Sequence, residues 1–294
     1  TMIRLLISTF SILLSGILAC VPTAPEDGEL TILPSENTGG DSNTLSFGIV
    51  PQQSPADIER NWGPLARFLE ETTGLKVHIK TASSIPIFEE RCAAGAYDLS
   101  YMNPYHYVVY AEAPGYRAVA RQKDKRIQGI IVVPKDSPEN PLSHFEGAEL
   151  AFPSPAAFAA SLLTRAHFTR SDIPITPVYV RTHDSVYKAV ADGLYPAGGG
   201  VKRTFKATDP AIREKLRIAW TTDLFTPHAF AAHPRVPEEN VKKIRDALLT
   251  LTSPEARPDL LDPIKFKGWA AAEDSDWDEV RALGLTALSP GNSP

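Results

Sequence analysis

The body of the chain alternates short apolar strands with amphipathic helical stretches. Leu45 to Val50 reads as a buried strand. A helix follows from about Ala56 to Thr73, with Ile58, Trp62, Leu65, Ala66 and Leu69 at helical spacing and Gly74 to end it. Leu75 to Thr81 sets Leu75, Val77 and Ile79 against Lys76, His78 and Lys80, the period of a half-buried strand. A helix around Ile87 to Ala94, a strand from Tyr97 to Tyr101 and a helix opening at Pro104 come next. This β-α-β-α-β-α order predicts an α/β fold with a mostly parallel sheet covered on both faces.

Strands over Tyr116 to Arg121 and Ile127 to Pro134 flank a charged turn, and then the pattern restarts. It predicts strands at 148–152, 176–181 and 196–201 with helices at 156–168 and 185–192 between them. Strands at 216–222 and 229–233 and a helix over Pro237 to Leu251 complete it. Two α/β units joined by two extended segments predict a two-lobed molecule with a cleft.

The first twenty residues have a different pattern. Arg4 precedes an apolar stretch from Leu5 to Leu18, and Ile17-Leu18-Ala19-Cys20 closes it. That reads as an export signal (residues 1–20), and the cysteine after Ala19 resembles a bacterial lipobox, with Cys20 lipidated and membrane-anchored. Residues 21–44, rich in Pro, Gly, Ser, Thr and acids, read as a flexible tether. The expected location is the periplasm, on a lipid leash.

Of the 294 residues, 43% are hydrophobic and 22% charged, and the net charge is -5. That is an ordinary globular balance, and without a basic stripe it argues against a nucleic-acid partner. Cys92 is the only thiol besides Cys20, so no internal disulfide and no cysteine-based zinc site is expected. No Gly-x-Ser-x-Gly elbow, His-Glu-x-x-His or phosphate-gripping lysine loop occurs. No catalytic residue, metal or cofactor is therefore predicted.

The polar clusters sit at strand ends. Gln52, Gln53 and Ser54 follow the first strand, as amide donors to a ligand or as a helix cap. Tyr101, Asn103 and Tyr105 surround a helix start able to cradle a small anion, or pack a strand–helix corner. At Ser154-Pro155-Ala156-Ala157-Phe158, Ser154 is expected as N-cap and Pro155 as the first helical residue; Ala157 and its neighbour could also present N–H groups to a ligand oxygen. His183 and Asp184 open a helix directly after a strand, where imidazole and carboxylate can meet an oxyanion and a ligand hydroxyl. At Gly199, in the run Gly198–Gly200, a missing side chain lets a ligand or another segment approach the backbone.

The runs Phe47-Gly48-Ile49-Val50-Pro51, Tyr97 to Pro104, Thr182 to Val190 and Ala197 to Val201, with the return segment Pro227 to Pro237, resemble the PhnD-like phosphate/phosphite/phosphonate-binding proteins of ABC importers. The resemblance implies a hinged periplasmic-binding-protein fold of type II, with lobe one built from 45–133 plus 227–294, lobe two from 134–226, and a hinge near Val132 and Ala229. It implies ligand contacts at Tyr101, Ser154, His183 and Asp184. One departure stands out: where the family carries a hydroxyl-rich turn, this chain has Ala156, Ala157 and Phe158. A ligand less charged than phosphate, or one with an apolar part stacking on Phe158 and the tyrosines, would suit that change. The expected partners are a small oxyanion or phosphonate-like ligand and an ABC permease or, alternatively, a membrane sensor, with the protein a monomer. An enzyme of the pyrimidine-synthesis type, using His183 or His106, is the remaining alternative.

Overall fold

The computed structural model describes residues 43–139 and 142–286. The expected export signal, the expected lipidation site Cys20 and most of the expected tether lie outside the described residues. Among the described residues no helix is long and apolar enough to cross a membrane.

The first lobe begins with β1 (Thr44–Ile49) and α1 (Pro55–Thr73). Ser54 caps α1 by accepting from the Asp57 amide, Pro55 opens the first turn and Gly74 ends it in a left-handed conformation. The predicted stripe from Ile58 to Leu69 is buried throughout. Then come β2 (Lys76–Lys80), α2 (Ile85–Ala93), β3 (Leu99–Met102), α3 (Pro104–Glu112) and β4 (Arg117–Gln122). The chain crosses once to the second lobe, which holds β5 (Gly129–Pro134), β6 (Glu149–Phe152), α4 (Leu163–Arg170), β7 (Thr176–Tyr179), α5 (His183–Ala191), β8 (Gly198–Val201), α6 (Lys202–Ala207), α7 (Pro210–Arg213) and β9 (Leu216–Thr221). It returns through β10 (Ala229–Ala232) and ends with α8 (Glu238–Leu249), α9 (Pro258–Ile264), β11 (Trp269–Ala271) and α10 (Asp278–Arg281).

The strands form a six-stranded sheet ordered β11-β4-β10-β3-β1-β2 and a five-stranded sheet ordered β7-β6-β8-β5-β9. In the first, β1 runs parallel to β2 and β3, while β10 is antiparallel between β3 and β4. The returning chain thus fills the centre of the first sheet, which ties the two ends of the sequence into one lobe. In β10, Ala229, Phe230, Ala231 and Ala232 are all fully buried, as a central strand covered on both faces requires.

The lobe boundary differs from the expected one. β5 pairs antiparallel with β8 and β9, so Val132 lies inside the second sheet and not at a hinge after residue 133. Ala229 likewise is paired in the first sheet, to Met102 and Arg121. The crossings are 123–128 and 222–228, held together by reciprocal bonds between Ile127 and Phe225, with N–O distances of 2.7 and 3.0 Å. An unbroken apolar run from Ile130 to Val133 reads the same whichever sheet it joins; pairing partners decide, and those are remote in sequence.

The predicted helix over 156–168 is also different at its start. Phe158–Leu162 forms a π turn, and the α-helical hydrogen bonding begins only at Leu163. Ser154 is not a side-chain cap there: its buried Oγ has no hydrogen-bond partner among the described residues. Two glycines account for the placement of this turn. A Cβ on Gly129 would lie 2.1 Å from the Ala159 carbonyl oxygen, and one on Gly199 2.0 Å from that of Ala160. Only bare backbone on β5 and β8 lets the turn settle so close to the sheet.

Each face of the second sheet has its own apolar cluster, one around Val186, Tyr187 and Val190, the other around Phe145, Leu150 and Phe168. Residues Ala156–Ala160 of the second lobe instead join the large cluster of the first. The lobes therefore share buried apolar contacts at the base of the cleft.

Candidate functional site

The carboxyl ends of β1 and β3, from the first lobe, face the start of α5 and the β8–α6 junction, from the second. Between them lies an outer chamber of about 340 Å³, with Gln52, Trp62 and Tyr101 on one side and Asp184, Arg203 and Thr204 on the other. Deeper in is an inner hollow of about 10 Å³, bordered by Asn103, Phe158, His183 and His228. Gln52 borders both.

Asn103 connects the lobes at the base. Its Oδ1 accepts from the His106 amide at 2.8 Å, capping α3, while its Nδ2 donates to the Ala156 carbonyl across the cleft at 3.2 Å. Higher up, the Arg203 guanidinium donates to Oε1 of Gln52 at 2.5 Å. Arg203 is only half-buried, yet it makes no ion pair with a carboxylate among the described residues. Tyr101 stacks on His228, with ring centres 5.1 Å apart and planes 19° from parallel, and packs on Trp62 at 4.6 Å. Its hydroxyl makes no hydrogen bond with another described residue. A cation without a counter-ion and an unsatisfied phenol on opposite lobes suit an anionic ligand that accepts hydrogen bonds.

Burial sets the charges. His183 is buried, with Nδ1 3.3 Å from the Thr204 hydroxyl, and burial together with the nearby Arg203 pushes its imidazole down to about 3. His228 is held well below the usual histidine range by burial, by Arg203 and by His106 and His183; its Nε2 has no hydrogen-bond partner among the described residues. Both rings are therefore neutral at physiological pH and interact through their dipoles. Burial raises the Tyr101 phenol to about 12, with Arg203 working against that rise. Asp184 stands at the exposed rim; partial desolvation and the facing Asp57 push its carboxyl up.

Of the residues singled out from sequence, Gln52, Tyr101 and Asp184 border the outer chamber, and Gln52, Asn103, Ala157, Phe158 and His183 the inner hollow. Three do not join them. Tyr105 turns its hydroxyl to the Leu285 carbonyl at 3.3 Å, on the far side of α3. Ser154 is buried beside the turn and borders neither hollow. Gly199 faces the Ala160 carbonyl and the Phe152 ring, so its missing side chain serves the approach of another segment. Phe158 is almost fully buried and packs in a T-shaped pair with Phe225, ring centres 5.4 Å apart, so it offers little open face to a ligand.

Arg203, His228, Trp62 and Thr204 were not foreseen. Arg203 and Thr204 follow Gly198–Val201 directly, and a cation just past a buried strand end could have been noted. His228 sits in the return segment and reaches the site only because β10 inserts beside β3.

The sequence model described as "ABC transporter, phosphonate, periplasmic substrate-binding protein" matches residues 47–277. The chain belongs to this family. The phosphate-import protein PhnD of Mycolicibacterium smegmatis is 25% identical over 245 residues, which cover 72% of this chain and 73% of that one. PhnD1 of Prochlorococcus marinus, solved in complex with methylphosphonate, superposes with a TM-score of 0.74 at 16% identity, over 83% of this chain and 98% of that one. A binding-protein component of an ABC phosphonate transporter from Pseudomonas aeruginosa gives a TM-score of 0.74 at 14% identity, over 83% and 86% of the two chains. The binding protein described here thus has the two-lobed type II periplasmic fold, and its family places it in the periplasm as the substrate-binding component of an ABC phosphonate importer.

Proposed function

We propose that this binding protein captures a phosphonate-, phosphite- or phosphate-like oxyanion between its lobes and passes it, unaltered, to an ABC permease. The observation that carries this reading is Arg203: a half-buried cation with no carboxylate partner among the described residues, aimed across the cleft at Gln52 and close to the Tyr101 hydroxyl. An oxyanion there would meet a charge-assisted donor from one lobe and neutral donors from the other. Ligand contact would then favour the closed arrangement, with 123–128 and 222–228 as the flexing segments. His183 and Asp184 belong to the same wall, and the family likeness to proteins that import phosphate and hold methylphosphonate agrees with it.

Calorimetric titration of the purified protein with phosphite, methylphosphonate and phosphate tests this. Saturable heat with at least one is expected, with the ligand recovered unchanged; flat heats for all three would refute the oxyanion reading. The anchor at Cys20 and a monomeric state belong to the same proposal. Cys20→Ser should release the protein from membranes on fractionation, and a variant that stays membrane-bound would remove the lipid from the account.

A further inference from the structure

The two crossings are fixed to different lobes at their two ends. On the second-lobe side, Gln128 Nε2 donates to the Thr222 carbonyl at 2.9 Å, and the Gly129 amide donates to the Thr222 hydroxyl at 3.0 Å. On the first-lobe side, the buried run Thr226-Pro227-His228 is held by Trp277 and α10. Glu279 accepts from the Thr226 amide at 2.5 Å, and the Trp277 indole donates to the Pro227 carbonyl at 2.9 Å. His228 then stacks on Tyr101 at the site. Between these anchors Asp223 and Leu224 are exposed, Leu224 by 52%. A bend between the lobes falls most readily there.

One side chain spans that gap. Arg126, on the first crossing, donates through Nη2 to the Leu224 carbonyl at 2.9 Å and through Nη1 to the Thr226 hydroxyl at 3.2 Å. Its Nη2 also meets Glu279 Oε2 at 2.7 Å. As an exposed ion pair the two side chains would contribute little. Their other partners matter more, because a hinge motion that carries Leu224 away from Thr226 must stretch or break one arm of the guanidinium fork. In this setting the walls of the cleft also touch, through Gln52 with Arg203 and Asn103 with Ala156. Building on the binding reading above, we propose that Arg126 and Glu279 are positioning residues for ligand capture. They latch the crossings in the closed setting and so raise affinity at a site that neither of them borders. Apparent affinity falls in proportion to the closed fraction, even when every ligand contact is kept.

Two variants of the full chain test the latch. Arg126→Lys keeps the positive charge, but a compact ammonium on a shorter reach cannot span the fork's three acceptors. Glu279→Gln makes the neighbourhood more positive, so a loss of anion affinity in it is not a charge effect. The readouts are small-angle scattering, a thermal melt, and calorimetry with phosphite, methylphosphonate and phosphate. Without ligand, both variants should be more open than the parent. They should bind about three- to tenfold more weakly, with the parent's scattering at saturation and an unchanged melt. Ligand-free curves identical to the parent's, or unchanged affinity in both variants, would overturn the inference. A lower melting temperature with altered scattering at saturation would also overturn it, by giving the pair a merely structural role. If none of the three anions binds the parent, the oxyanion reading falls, while ligand-free scattering still decides the latch.

Discussion

Arg203, at the first turn of the second lobe's α6, donates its guanidinium to the side-chain oxygen of Gln52, which follows β1 of the first lobe, at 2.5 Å. The two residues are 151 positions apart in the chain, and with Asn103 and Ala156 they form polar ties across the cleft. A neutral amide is a weak match for a guanidinium. An oxyanion placed between them would take over the stronger hydrogen bonds.

Arg203→Gln should therefore weaken oxyanion binding by about ten- to a hundredfold, the range of a lost charged hydrogen bond. The melting temperature should barely move, because Arg203 is half-buried and holds no ion pair among the described residues. Calorimetry beside a thermal melt checks both; affinity equal to the parent would place the anion elsewhere.

Asn103 separates capping from bridging. Asn103→Asp retains the acceptor for the His106 amide but cannot donate to the Ala156 carbonyl, whereas Asn103→Ala loses both. Small-angle scattering should show both variants more open than the parent. Only Asn103→Ala should also lose about 1 kcal/mol of stability through the missing cap. Identical profiles for all three proteins would mean that the bridge does not hold the lobes.

Gly199→Ala should destabilise the protein by about 1–3 kcal/mol in urea unfolding. The new Cβ would meet the Ala160 carbonyl oxygen at 2.0 Å and the Phe152 ring at 2.5 Å, and neither is the end of a flexible side chain. A neutral result would show that the π turn moves away from the sheet more easily than its burial implies.

Acid should destabilise the fold through two imidazoles. Unfolded, each titrates near its ordinary 6.5; folded, His183 does so at about 3 and His228 well below the ordinary value. The unfolded chain therefore binds more protons across that window, and the stability is complete above about pH 6.5 and lost as the pH falls. Each histidine contributes up to about 1.4 kcal/mol per pH unit. Urea titrations between pH 7 and 5 read this before most carboxylates titrate, and His228→Phe, which keeps a ring on Tyr101, should flatten the slope by one proton. A slope unchanged in that variant would mean that His228 titrates normally.

Most of the fold was legible because local pattern and burial agree. The stripe of α1, the alternation of β2, Pro104 opening α3 and Pro237 at the entry to α8 each carry their own signal, and the structure places those elements within one or two residues. The site was legible in part. Gln52, Tyr101, Asn103, His183 and Asp184 lie at strand ends, where an α/β sheet exposes its loops to the crevice. Tyr105 follows Tyr101 by four residues, yet it lies on a helix whose buried face turns toward Leu285, so a shared polar run did not mean a shared wall. The run Gly198–Gly200 was ambiguous between ligand and packing, and only the positions of Ala160, Val186 and Tyr187 against it settle the matter.

The sequence by itself determined the elements, their α/β order and the family likeness, because these follow from periods of two and 3.6 residues and from short runs of specific residues. Tertiary structure alone decided that β5 joins the second sheet, that His228 stacks on Tyr101 and that Trp62 and Arg203 share a chamber. Each of those facts depends on segments far apart in the chain meeting at one surface. Local periodicity says which face of an element is apolar, but only the packed whole says what that face touches.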